Sequence, residues 1–281
     1  MIEYRDGKPS ADLLRLQRVH KGMLAQLAEY CDEKGIQWFL AAGSALGAVR
    51  HGDVIPWDDD IDVGLKREDY DRLCASLRRE PIRGMFLQDW VSQPGYALPF
   101  AKLRLDGSFL DEPGSEPGFH CGIAIDLFPY DHLPRTSLAI WVQRQVLGLL
   151  NFVIMPSTYD VASKPRSYLL RGARSMAQKV RAMVPLKPLI RARELVSRAD
   201  FLPKGQWADC CGMFGYSNFS RTLVPLNDVL PTREGRFGEL RVFLPGNPDS
   251  YLSRLYGDYM RPPQAENIGL MHATLVRFPA D

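Results

Sequence analysis

Four aspartates fall within five positions of the segment IPWDDDIDVG, residues 55–64: Asp58, Asp59, Asp60 and Asp62. Asp60 and Asp62 are two residues apart, and Ile61 and Val63 interleave with them. Side chains alternate along a strand, so Asp60 and Asp62 share one face while Ile61 and Val63 enter a core. Two carboxylates on one face repel each other, and a cation relieves that repulsion. An all-oxygen donor set suits Mg²⁺ or Mn²⁺.

Three other readings of the acidic run compete. An EF-hand loop counted from Asp58 needs Gly at its sixth position and Glu at its twelfth, where this chain has Val63 and Asp69. A solvated acidic turn capping the next helix leaves the interleaving of Ile61 and Val63 unexplained. A metal pair of the glycosyltransferase kind, binding a sugar nucleotide, is the third. Upstream, Ala42-Gly43-Ser44 leaves an apolar run and enters a helix. A Gly-Ser turn there offers backbone N–H groups and a hydroxyl to an anion. Such a turn followed by two aspartates on the next strand is far more specific than either feature alone. A third carboxylate is expected from a neighbouring strand. Asp126, in GIAIDLFPYD, lies inside an apolar run where an unpaired charge is costly. The competing role for Asp126 is a cap on the turn at Pro129, and Asp131 is the fallback for the third carboxylate.

The surrounding elements must position these groups. Residues 10–34 read as a helix that Ser10 caps and Gly35 ends, with Leu13, Leu14, Leu16, Val19, Met23, Leu24 and Leu27 roughly on one face. A buried strand is expected over 36–42, a short helix in GSALGAVRHG, a strand over 60–65 and an amphipathic helix over 67–79. Further strands are expected over 96–105 and 122–128. Residues 136–200 read as helices broken by proline. Within them, 164–198 holds ten basic residues against one acidic residue, Glu194. The division expected is a catalytic core over 1–135, a helical basic insertion over 136–200, and a C-terminal part over 201–281 that completes the catalytic domain.

Composition sets the outer limits. The chain has 281 residues, a formal net charge of +2, 46% hydrophobic and 24% charged residues, so a packed globular protein is expected. That charge balance gives no electrostatic case for a nucleic-acid partner. The five cysteines form no C-x-x-C pair and read as reduced thiols. The polar N-terminus does not read as a secretory signal, and Arg144 in the middle of the apolar stretch 138–155 argues against a spanning helix. A cytoplasmic protein is expected, associated with the inner face of a membrane through the basic, apolar segment 136–200.

These motifs resemble a known family. AAGSALGAVRHGDVIPWDDDIDVGLKREDYDRL is similar, almost end to end, to the opening signature of the LicD-like phosphotransferases, a group that includes the fukutin-related proteins. AKLRLDGS, AIDLFPYD and YLSRLYGDYMRPPQAENIGLMH resemble its later blocks in the same order. The resemblance implies an α/β (α+β) nucleotidyltransferase-like fold, with a mixed sheet core flanked by helices. It implies transfer of a phosphorylated alcohol, such as phosphocholine or ribitol phosphate, from a CDP-linked donor to a glycan hydroxyl, with CMP leaving. By the same resemblance Asp60 and Asp62 match metal ligands, Asp126 a third carboxylate, and Gly43 and Ser44 the nucleotide-side turn. His272 stands where the family has a histidine.

Phosphoryl-type transfer needs charge neutralisation and in-line positioning. One or two Mg²⁺ on Asp60 and Asp62 would serve, with Asp126 sharing the metal or accepting the acceptor's proton. Lys102 and Arg104 alternate with Leu103 and Leu105, and both are candidates for phosphate contacts. Arg50 is a candidate for phosphate contact or for pairing with Asp58, which would sit behind the metal ligands. Trp57 reads as core packing. A lipid-linked glycan acceptor would make membrane docking useful. The rival readings are an NTP-using nucleotidyltransferase that releases pyrophosphate, and a non-catalytic glycan- or nucleotide-binding module.

Overall fold

The computed structural model describes residues 2–5, 7–112, 118–155, 183–210, 223–263 and 273–279. Among them the chain opens with a small hairpin, β1 (Tyr4–Arg5) and β2 (Lys8–Pro9), followed by α1 (Ala11–Lys34). β3 (Phe39–Leu40), α2 (Ala42–His51), β4 (Asp62–Lys66) and α3 (Arg67–Arg79) come next. Then follow β5 (Met85–Gln88), β6 (Ala101–Leu105), β7 (Phe109–Asp111), β8 (Ala124–Pro134), α4 (Ser137–Ile154) and α5 (Leu186–Arg198). The C-terminal part holds β9 (Lys204–Cys210), β10 (Leu223–Pro225), α6 (Leu226–Val229), β11 (Arg233–Phe237), β12 (Leu240–Leu244), α7 (Pro248–Tyr256) and β13 (Leu275–Arg277). The architecture is α+β: one mixed seven-stranded sheet flanked by helices, with three two-stranded pairs around it.

β8 is the hub of that sheet. β4 runs parallel to it, with Asp62 opposite Asp126. β6 runs antiparallel to its first half and β9 antiparallel to its second half. β3 pairs with the far edge of β4. The sequence predicts the helices that frame this core well. Ser10 Oγ accepts from Leu13 N, and Gly35 ends α1 in the left-handed region at φ 61°. α3 spans the predicted 67–79.

Two strands are shorter than the sequence pattern suggests. The run 36–42 yields only two strand residues, because α2 already starts at Ala42. The run 96–105 yields Ala101–Leu105. Pro99 has no N–H to give a ladder. The carbonyls of Ala97 and Leu98 instead accept from the fully buried Arg193, at 2.6 and 2.9 Å. Conversely, β8 continues six residues beyond the predicted end at 128, to Pro134, because β9 supplies a partner for its second half.

Ion pairs tie the helices to the sheet and to each other. Arg67, the first residue of α3, forks onto Asp131 of β8, Nε to Oδ1 at 2.7 Å and Nη2 to Oδ2 at 2.6 Å. Its Nη1 reaches Glu194 of α5 at 3.2 Å. Arg198 forks onto Asp71 at 2.6 and 2.8 Å. Asp131 is therefore a structural partner of Arg67. Removing one member of such a pair strands the other in low dielectric. Arg67→Ala is accordingly expected to destabilise the protein by about 3–5 kcal/mol, and Arg67→Met with Asp131→Leu by much less. Equilibrium urea unfolding of both variants measures the difference.

Candidate active site

A cavity of about 430 Å³ opens where α2, the approach to β4 and the chain after α7 meet. Asp58, Asp60 and Asp62 line it, together with Gly43, Arg50 and Trp57. Tyr256, Asp258, Tyr259 and Arg261 close it from the C-terminal side. The period-two expectation therefore holds at the site, although the regular strand begins only at Asp62. Asp60 and Asp62 reach the same cavity, while Ile61 is fully buried.

The neighbouring Asp59 does something different. It is buried, and its Oδ2 accepts from Ala273 N at 2.7 Å, so it anchors the C-terminal segment. Carboxylate oxygens of Asp58, Asp59 and Asp60 lie within 4.8 Å of one another. Of these three, only Asp58 and Asp60 line the cavity. An all-oxygen donor set of Asp58, Asp60 and Asp62 is chemically suited to a hard divalent cation.

Burial pushes the Asp62 carboxyl well above the usual carboxylate range, and the charges of Asp60, Asp126 and Asp58 push it further. Asp126 is raised by burial to about 6, against the pull of Lys102. Lys102 Nζ sits 2.7 Å from Asp126 Oδ1 and 3.2 Å from Glu112 Oε2. Arg104 Nη1 lies 2.7 Å from Glu112 Oε1, and its Nε donates to Gln88 Oε1 at 2.7 Å. Lys102 and Arg104 do share a face, as their alternation predicts, and both are buried. They are engaged behind the cavity wall with carboxylates and do not line the cavity. Burial works against the Lys102 ammonium, but Asp126 and Glu112 outweigh it and raise its pKa.

The Gly43-Ser44 segment is the first turn of α2 and not a separate turn before it. Ser44 is buried, and its Oγ accepts from Asp62 N at 2.9 Å, locking α2 to the start of β4. Gly43 faces the cavity, and a Cβ there would come within 3.1 Å of Asp58 Oδ2. The N-terminal end of α2 has no side-chain cap; Ala42 N donates to Tyr251 Oη of α7 at 3.1 Å. Tyr251 in turn bonds Tyr130 of β8 at 2.7 Å.

Arg50 supplies positive charge to the cavity. Its Nη1 donates to Tyr259 O at 2.8 Å, and its guanidinium lies 5.8 Å from the Trp57 ring centre. Trp57 is thus a cavity wall as well as a packing group. Tyr256, Asp258 and Arg261 are cavity residues that the sequence reading left out of the site. The signal for them was Gly257: its φ of 72° ends α7 and turns the following chain. His272 lies outside the described residues.

Residues 35–141 match the LicD/FKTN/FKRP nucleotidyltransferase domain, and this stretch carries α2, β4, β6 and the first strand pairings of β8. Human ribitol 5-phosphate transferase FKRP is 35% identical over 104 residues, which is 37% of this chain and 18% of that protein. The mouse protein of the same name matches equally. Lipopolysaccharide cholinephosphotransferase LicD of Haemophilus influenzae is 48% identical over 42 residues, 15% of this chain and 16% of that protein. The matched stretches thus span less than a fifth of these relatives' lengths.

The raised carboxyls have a consequence for stability. A carboxyl whose folded pKa lies above its unfolded value favours folding when protonated, and costs stability as pH rises through the folded value. In metal-free protein Asp62→Asn is expected to raise the melting temperature at pH 7.5 by about 3 °C or more. That gain should shrink as the pH falls and the wild-type carboxyl takes up its proton. Calorimetry of both proteins over pH 5–7.5 tests this.

Proposed function

We propose that this chain, whose residues 35–141 form a LicD/FKTN/FKRP nucleotidyltransferase domain, transfers a phosphorylated alcohol from a CDP-linked donor to a glycan hydroxyl, releasing CMP. The alcohol class is that of ribitol phosphate or phosphocholine, which the names of the related transferases support. The observation that carries the reading is the cavity itself: Asp58, Asp60 and Asp62 share one 430 Å³ space with Arg50 and two aromatic walls, Trp57 and Tyr256.

Mg²⁺ or Mn²⁺ held by Asp60 and Asp62 would neutralise the donor pyrophosphate and the departing CMP. The protein's own groups do the rest. Arg50 offers a fixed positive charge to a phosphate, oriented by its bond to the Tyr259 carbonyl. Trp57 and Tyr256 give flat surfaces against which a base or alcohol packs. The acceptor oxygen forms the new P–O bond while the P–O bond to CMP breaks, and CMP leaves with the electron pair. The acceptor's proton needs a base titrating near neutrality. Asp126, raised to about 6 and opposite Asp62 in the sheet, is our candidate; it does not line the cavity and is held by Lys102, so the proton would reach it past Asp62.

The test is donor turnover. The protein is incubated with Mg²⁺ and a panel of CDP-linked alcohols and NTPs, with glycan acceptors, and CMP and pyrophosphate are followed. Metal-dependent CMP release from one donor is expected, with EDTA abolishing it. Asp60→Asn and Asp62→Asn should each lower it at least about a hundredfold, the scale of losing one charge-stabilising group. Arg50→Ala should raise the donor KM about tenfold with a smaller change in kcat. Pyrophosphate release from an NTP would instead indicate a nucleotidyltransferase, and CMP release that survives both aspartate changes would overturn the reading.

A further inference from the structure

Helix α4 is built inside out. Gln143, Leu147, Asn151 and Ile154 face inward, and Gln143 Nε2 donates to the carbonyls of Val196 and Ser197 at 2.8 and 3.0 Å. Leu138, Trp141, Val142, Val146 and Leu149 recur at the helical i, i+3, i+4 spacing on the opposite face, and all are exposed. Leu138 is 72%, Trp141 58% and Leu149 69% exposed, so the outward stripe of this helix is more apolar than the inward one. A helix in water has the reverse pattern.

The surroundings of that stripe point to its occupant. On neighbouring α5, Lys187, Arg191 and Leu195 are exposed at i, i+4 and i+8. Arg135 and Arg144 are exposed as well. Two acidic residues stand among the described positions from 135 to 202: Glu194, which pairs with Arg67 and Arg198, and exposed Asp200, which pairs with Lys204. An apolar groove of about 400 Å³, lined by Leu138, Val142, Val146, Val196, Phe201 and Leu202, joins the two elements. Exposed leucines beside a tryptophan, bordered by cations and without a free acid on the helix, match a helix lying in the headgroup region of an anionic bilayer. By length and composition α4 is also apolar enough to cross a membrane. Its packing through Gln143, Leu147 and Asn151 holds it along the body of the protein instead.

We propose that the outer face of α4, together with the basic edge of α5, docks this protein flat on an anionic lipid bilayer. The inference stands apart from the reaction and needs no donor to be tested.

The full chain is mixed with vesicles of phosphatidylcholine alone, or of phosphatidylcholine with about 30% phosphatidylglycerol, and bound protein is separated by flotation. Binding is expected to the anionic vesicles, weakening with salt. Leu138→Glu with Leu149→Glu should lower the partition coefficient at least tenfold, since each leucine leaves the acyl region as a charge. Lys187→Glu with Arg191→Glu should lower it about fivefold or more on anionic vesicles only. The melting temperature of both variants should match the parent, because these side chains are exposed. Three results would overturn the proposal: no flotation of the parent protein; a fall in melting temperature in the leucine variant, which would mean that the chain covers this face itself; or a parent dimer in sedimentation that the leucine variant converts to monomer without vesicle binding by either, which would assign the face to a second copy.

Discussion

Parallel pairing of β4 with β8 puts two carboxylates, Asp62 and Asp126, directly side by side in the middle of the sheet. Strand spacing alone brings such neighbours to about 5 Å. At an effective dielectric of about 20, two unit charges at that distance repel by about 3 kcal/mol. Asp58 and Asp60 add to the same field. Much of the surrounding structure answers this charge. Lys102 takes Asp126, Glu112 bridges Lys102 to Arg104, and Arg104 is held by Gln88 and the Gly122 carbonyl. Positive charge behind the wall thus stabilises one carboxylate and leaves the cavity side acidic.

The same constraint explains why α2 is fastened so closely. A helix N-terminus attracts anions only if its first turn stays put. Here the fastening comes from other elements: Ser44 Oγ accepts from the Asp62 amide, and Tyr251 Oη accepts from Ala42 N. One hydroxyl thereby fixes the helix relative to the aspartate strand, and the other fixes it relative to α7. With a Cβ at residue 43 the helix would press on Asp58. Position and charge at the cavity are therefore set by the same few contacts.

How much of this the sequence carries depends on the range of the interaction. Local rules identify α1 with both caps, α3, and the shared face of Asp60 and Asp62, because periodicity and capping act within a few residues. Asp126 is readable because a charge in GIAIDLFPYD demands a partner. The engagement of Lys102 and Arg104 is not readable, since alternation says which residues share a face but not whether that face meets solvent or a buried Glu112. The late start of the predicted 96–105 strand depends on Arg193, some ninety-five residues away in sequence. The C-terminal cavity wall of Tyr256, Asp258 and Arg261 depends on how Gly257 redirects the chain, and no pattern within 256–261 states where it goes.

α4 illustrates a further limit of pattern reading. Periodicity finds the helix and its apolar stripe, and the default inference buries that stripe in the protein. In this fold the buried side is the one with Gln143 and Asn151, because the carbonyls of Val196 and Ser197, near the end of α5, need donors there. A polar inner face gives the helix a fixed register against its neighbour, as directional hydrogen bonds do and apolar contact does not. The apolar face is then free to serve a solvent other than water. Amphipathicity tells how a helix divides its surroundings, and only the packed structure tells which side is the protein.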